Sequence, residues 1–393
     1  MELTRRWTAW RRRAVLCVLG ACGVAAAMGL QPEPESYVVL AANDLGMHCM
    51  QNDFSQMMIL PPFNTVHAQV IRRGNGPDIM DGDVTVSFEL PTNTHSSDKT
   101  NFWQHAQQLL GAAVPHDVGV TGTGMRGAMT LDAVRRDYVA TGIPVTPIDD
   151  DGKENPYPLA LITVRNASSG AVVAQTQAVV PVSWEMSCNL CHSTPGGSTA
   201  TDILQDHDRL HGTDLVHAQP VMCASCHSDN ALGAPGQPGV PSLSAAMHGA
   251  HTTRMDQSGL QNSCYACHPG VRTSCQRDNH SAAGMTCTDC HGGMTEVANP
   301  ARNPWVDLPR CGSCHSRPEF EYEQPGTLFR NSKGHGGVMC VSCHGSPHAT
   351  GPAATATDNA QATRVQGHAG PVDTCLVCHT SQPDEPFFHS VEH

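Results

Sequence analysis

Between residues 188 and 379 the chain repeats one short unit seven times: a cysteine, two variable residues, a second cysteine and a histidine. The units are Cys188, Cys191, His192; Cys223, Cys226, His227; Cys264, Cys267, His268; Cys287, Cys290, His291; Cys311, Cys314, His315; Cys340, Cys343, His344; and Cys375, Cys378, His379. The Cys and His frequencies of the chain give about 0.05 chance matches to such a unit. Seven copies therefore dictate a shared chemistry, and that chemistry constrains every fold open to this half of the chain.

In one helical turn, positions i and i+3 lie on the same side. Two thiols so placed reach the vinyl groups on one edge of a haem, and the histidine that follows faces the iron. Zinc ribbons use paired cysteines but need no histidine after every second one. Disulfides suit an exported chain but leave seven histidines unexplained. The spacing thus predicts seven c-type haems, each held by two thioethers, with His192, His227, His268, His291, His315, His344 and His379 as proximal ligands. Composition points the same way. Aromatic residues are only 5% of the chain. After Cys188, apolar periodicity gives way to Gly, Pro, Ser and Thr, and residues 345–361 taken alone have the composition of a disordered segment. Haems would supply the missing interior. On these motifs the C-terminal half resembles a multihaem c-type cytochrome.

The preceding half has a different grammar. Between Tyr37 and Val182 it holds one cysteine, Cys49. Val84, Val86, Phe88 and Leu90 alternate with polar residues, as do Val66, Ala68 and Val70, which predicts half-buried strands. Residues 159–182 read as two strands around a turn at Asn166 to Gly170. Phe102, Ala106, Leu109 and Leu110 share a helix face, with Gly111 as its stop. The expected architecture is an N-terminal β-rich, sandwich-like domain (37–183), followed by a heptahaem cytochrome c domain (184–393) of short helices and irregular loops packed around haems. Residues 41–55 (AANDLGMHCMQNDFS), 99–111 (KTNFWQHAQQLLG) and 181–192 (PVSWEMSCNLCH) resemble the leader domain of a group of exported bacterial multihaem cytochromes. That resemblance implies this domain order and electron transfer, and no particular substrate.

Residues 1–30 read as an export signal, a basic stretch followed by the apolar run Ala14 to Leu30. Two cleavage styles stay open: before Cys22, giving a lipid-anchored N-terminus, or after the small residues Ala25 to Ala27. Either route places the chain in the periplasm, on the outer membrane or outside the cell. The net charge of −13 argues against nucleic acid as a partner. With Cys17 and Cys22 in the leader, Cys49 and Cys275 are the cysteines left outside motifs, and they are expected to form a disulfide.

Function turns on the sixth ligand of each iron. A second histidine gives a six-coordinate carrier, whereas an open position admits substrate. Eleven of the histidines outside the motifs lie in the haem half. His211, His217, His248, His251, His280, His335 and His368 are taken as the distal set; His207, His348 and His389 are left outside it. A histidine a few residues upstream of its own motif, such as His280, His335 or His368, is expected to serve a neighbouring haem. His48 is read as a buried structural residue. The function expected is electron conduction, in an anaerobic respiratory setting, to redox proteins or an extracellular acceptor, with homo-oligomers or filaments compatible with it. The alternative is a reductase of nitrite, hydroxylamine or a sulfur oxyanion with one open haem.

Overall fold

The computed structural model describes residues 36–317, 320, 322–384 and 389. The leader and both of its cleavage styles lie outside them. Among the described residues thirteen strands are formed: β1 Tyr37–Asn43, β2 His48–Cys49, β3 Met57–Met58, β4 Thr65–Arg72, β5 Asp78–Ile79, β6 Val84–Glu89, β7 Arg126–Ala128, β8 Thr130–Asp132, β9 Asp137–Thr141, β10 Leu159–Asn166, β11 Val172–Val179, β12 Val182–Ser183 and β13 Val221–Met222.

Two antiparallel sheets dominate the N-terminal half. One runs β1-β4-β9-β8, with β5 also paired to β4; the other runs β11-β10-β6-β7. Strand β6 buries Val84, Val86 and Phe88 and exposes Thr85 and Glu89, as period-2 alternation requires. Strands β10 and β11 form the hairpin around Asn166 to Gly170, where the Asn166 side chain accepts from the N–H groups of Ser168 and Ser169. The sheets share one apolar core that includes Val39, Val66, Ala68, Val86, Phe88, Ile162 and Val164. Helix α1 (Phe102–Leu110) turns Phe102, Trp103, Ala106 and Leu109 into that core and ends at Gly111 in the left-handed conformation.

Strand β1 departs from simple alternation, because Val38 to Asn43 are all buried. The reason is a second layer. Val38, Leu40, Ile71 and Ile79 pack against Val372 and Val377 of the C-terminal half, and Ala42 packs against Met339 and Val341. Polar ties reinforce the contact. Buried Gln69 accepts from Met339 N at 2.8 Å and Ser342 Oγ at 3.2 Å. Gln361 accepts from Ala41 N at 2.7 Å. Strand β13, immediately before Cys223, pairs in parallel with β3. The described residues all belong to one compact unit.

The C-terminal half consists of short helices and loops, including α2 (Thr199–His211), α3 (Leu243–Gln257) and α4 (Asn279–Ala282). Every buried residue of the main apolar core lies between Val39 and Val182. No helix among the described residues is long and apolar enough to cross a membrane.

Candidate functional site

Each of the seven repeated units closes on itself as one turn. Cys287–His291 and Cys340–His344 are α-helical. In the other five, the histidine N–H donates to the carbonyl of the first cysteine: His192, His268, His315 and His379 at 2.9 Å and His227 at 3.1 Å. A closed turn brings the thiols at i and i+3 to one side and directs the histidine away from the backbone.

Opposite every motif histidine stands one histidine from outside the motifs. Ring centroids are 6.2 Å apart for His192 and His251, 6.3 Å for His227 and His207, and 6.2 Å for His268 and His248. They are 6.0 Å apart for His291 and His348, 6.1 Å for His315 and His280, 5.8 Å for His344 and His389, and 6.1 Å for His379 and His335. Numbered by motif, these are pairs 1 to 7. Direct ring packing does not favour so uniform a gap. Two metal–imidazole bonds of about 2 Å each, with the ring radii added, put centroids about 6 Å apart.

The second nitrogen of many of these rings is already engaged. Nδ1 of His227 meets Pro241 O at 2.9 Å, Nδ1 of His248 meets Ser244 O at 2.8 Å, and Nδ1 of His251 meets Met247 O at 2.6 Å. His379 Nδ1 meets Asn75 O at 3.2 Å, and His207 Nδ1 meets Thr213 Oγ1 at 2.9 Å. Carbonyl acceptors place the proton on Nδ1 and leave the Nε2 lone pair for a metal. Burial lowers the pKa of His207, His248, His268, His335, His344 and His348, and that of His291 to about 4. These imidazoles are therefore neutral near pH 7, the form that coordinates metals. The donor set of two thiols on one turn and two imidazoles about 6 Å apart, in a half that shares little of the main apolar core, fits a covalently attached group whose metal would take one imidazole from each side.

Four of the seven distal candidates chosen from sequence, His248, His251, His280 and His335, stand in these pairs. Three do not, and His207, His348 and His389 stand in their place. Helix α2 carries both His207 and His211, with rings 4.8 Å apart. His207 faces His227, while His211 is exposed at the end of the helix. The β13 pairing with β3 draws the chain ahead of Cys223 away, so that His217 lies in solvent against Asp214. Gly367 turns the chain in the left-handed conformation at the end of helix 360–366, and His368 is left outside beside Asp373. His280 and His335 face the motif after their own, at His315 and His379.

His348 has no marking in the sequence, because distant segments place it. Arg277 N donates to the His348 carbonyl at 2.8 Å. The buried Arg277 guanidinium meets Asp358 at 2.6 and 2.9 Å and Gly46 O at 2.7 Å. Gly46 has φ +81°, and a Cβ there would lie 1.6 Å from Pro347 O, so only glycine allows the approach. His48 is buried and bonded to Asp44 at 2.7 Å, a structural role. Cys49 and Cys275 are both free thiols, so the expected disulfide is not formed. They are nonetheless neighbours: burial, and then the proximity of Cys275, raise Cys49 to about 12.

The pairs adjoin in sequence through space. Helix α2 joins pairs 2 and 1, since it carries His207 and also Asp202, whose carboxylate lies 3.3 Å from His192 Nδ1. Helix α3 joins pairs 1 and 3 through His251 and His248, and Cys267 lies in the field of Cys188 and Cys191. Cys264 meets Cys287, joining 3 and 4. Cys290 lies by Cys314, joining 4 and 5. Tyr322 contacts His315 at 5.7 Å and His389 at 6.5 Å, joining 5 and 6. Cys343 lies by Cys378, joining 6 and 7. No family model, curated protein or solved structure matches this chain.

Proposed function

We propose that this protein is an electron conduit carrying seven covalently bound c-type haems, each with two axial histidines, in the order 2-1-3-4-5-6-7. The observation that carries the reading is the pairing of all seven motif histidines with seven others at 5.8–6.3 Å. Bound haem would supply an iron that takes up and releases one electron at a time. The chain's part is to hold, orient and insulate. Cysteine pairs on closed turns would attach each group, the facing histidines would hold its iron, and the β-rich half is the backing to which motifs 2, 6 and 7 are tied. In this reading the N-terminal half is sandwich-like, and the short helices and loops pack around haems.

Seven filled pairs favour a carrier over the reductase alternative, which requires an iron with an open side. The leader-like first 30 residues support export to the periplasm, outer membrane or cell exterior. The partners are then redox proteins or an extracellular acceptor, with membrane attachment only through lipid at Cys22. Two measurements test the proposal. Intact mass should show the gain of seven haems. The ferric protein should give only low-spin signals by electron paramagnetic resonance and, once reduced, should bind no carbon monoxide. A substantial high-spin, CO-binding fraction would favour the reductase, and absence of haem would overturn both readings.

A further inference from the structure

The paired histidines His192 and His280 give Nδ1 to a carboxylate and not to a neutral acceptor. His192 Nδ1 lies 3.3 Å from Asp202 Oδ2, with Asp206 Oδ2 at 3.8 Å. His280 Nδ1 lies 2.9 Å from Asp278 Oδ2. Both carboxylates are held in place. Asp202 also accepts from the Thr194 hydroxyl, and Asp206 is bound to Arg209 at 2.6 Å. Asp278 accepts from Ser281 N at 2.9 Å as the N-cap of α4 and from Thr350 Oγ1 at 3.3 Å, and its side chain is only 8% exposed. By contrast, His207, His227, His248, His251 and His379 give Nδ1 to a hydroxyl or carbonyl.

A carboxylate can only accept, so Nδ1 carries the proton and Nε2 is the coordinating atom. The negative charge drawn toward Nδ1–H makes Nε2 the stronger donor, which favours the more highly charged metal and lowers its reduction potential. We propose that Asp202 and Asp278 are positioning residues that depress the potentials of centres 1 and 5 below those of centres whose histidines meet neutral acceptors. This rests on the conduit reading. Its consequence is an uneven array: electrons entering a partly reduced protein settle on centres 2, 3 and 7 before they settle on centres 1 and 5.

The test uses haem-loaded full-length protein and its Asp202→Asn and Asp278→Asn variants, titrated potentiometrically while low-spin signals are followed by electron paramagnetic resonance. Asparagine caps a helix as well as aspartate does, so Asp278→Asn keeps α4 capped. Each variant should show one centre moved to higher potential with an altered signal and six unchanged. Asp202→Glu and Asp278→Glu should restore low potentials. Asp214→Asn, beside the unpaired and exposed His217, should leave the titration unchanged. Loaded Asn variants whose titrations superimpose on the parent would overturn the inference. If Asp278→Asn fails to load haem, Asp202→Asn decides. Parent protein without haem by intact mass would instead overturn the conduit reading, a separate and recognisable result.

Discussion

Arg277 has side-chain exposure of 1%, yet it carries a full charge, compensated by Asp358 at 5%. Its position in the segment between motifs 3 and 4 anchors it to Asp358, Gly46 O, Ser274 O, Cys275 O and, through its backbone N–H, His348 O. Removing one partner of a buried ion pair leaves the other uncompensated. Arg277→Met should therefore cost about 3–5 kcal/mol in denaturant unfolding. Arg277→Met combined with Asp358→Leu should recover a large part of that loss. Glu185 is a second buried charge, 4% exposed. Burial pushes its pKa up, but the N–H groups of Arg272, Thr273 and Val271 and the Thr273 hydroxyl outweigh burial and bring it to about 2. A depressed carboxylate stabilises the fold above its unfolded pKa of about 4.3 and loses that contribution as pH falls toward 2. Glu185→Gln should remove about 1–3 kcal/mol at neutral pH and flatten the acid side of a stability–pH curve measured by circular dichroism.

At the scale of elements, α3 carries one histidine of each of two pairs, His251 facing His192 and His248 facing His268. Its Ser242 cap accepts from Ala245 N at 3.2 Å and sets the start of a helix in which His248 and His251 are three residues apart. Three residues fall about 60° short of a full turn, so the two rings diverge toward His268 and His192. A helix that spreads its histidines in this way staples two units whose own motifs lie far apart in sequence. His248→Ala and His251→Ala should each open one iron in seven to carbon monoxide in the reduced protein, and the double variant two in seven. CO-difference spectra read the fraction directly. If the double variant opened only one, the two residues would share a centre and the assignment of α3 would be wrong.

Across the whole molecule, the β-rich half is more than a leader to the haem-motif half. One face of the β1-β4 sheet is covered by Val372, Val377, Met339 and Val341, and Gly74 N bonds Cys378 O at 3.3 Å. A fragment of residues 36–183 would expose Val38, Leu40, Ile71 and Ile79 together, a patch of the kind that drives association. It should self-associate in size-exclusion chromatography with light scattering, and Leu40→Thr with Ile71→Thr should return it toward monomer. A fragment monomeric without those changes would show that the face needs no cover.

The alternation in β6, the β10–β11 hairpin, α1 with its Gly111 stop and the seven closed turns were legible because each depends on residues close in sequence, where period and turn chemistry act directly. His280 and His335 could be picked from their spacing just upstream of a motif, whereas His248 and His251 could be picked only through the resemblance of their segment to multihaem cytochromes. His207 could have been preferred to His211 only by knowing which side of α2 faces His227. His348 and His389 carry no local signal, and β1 looks like an ordinary half-buried strand until its second face is covered. The seven closed Cys-x-x-Cys-His turns and the β-rich half that precedes them follow from the sequence alone, since both depend on short-range geometry. Which histidine faces which motif, and in what order the histidine pairs adjoin, comes from the packing of the folded chain. The histidine that faces a motif is chosen by the packing of segments tens to hundreds of residues apart, through contacts such as those of Arg277 with Gly46 and of β13 with β3.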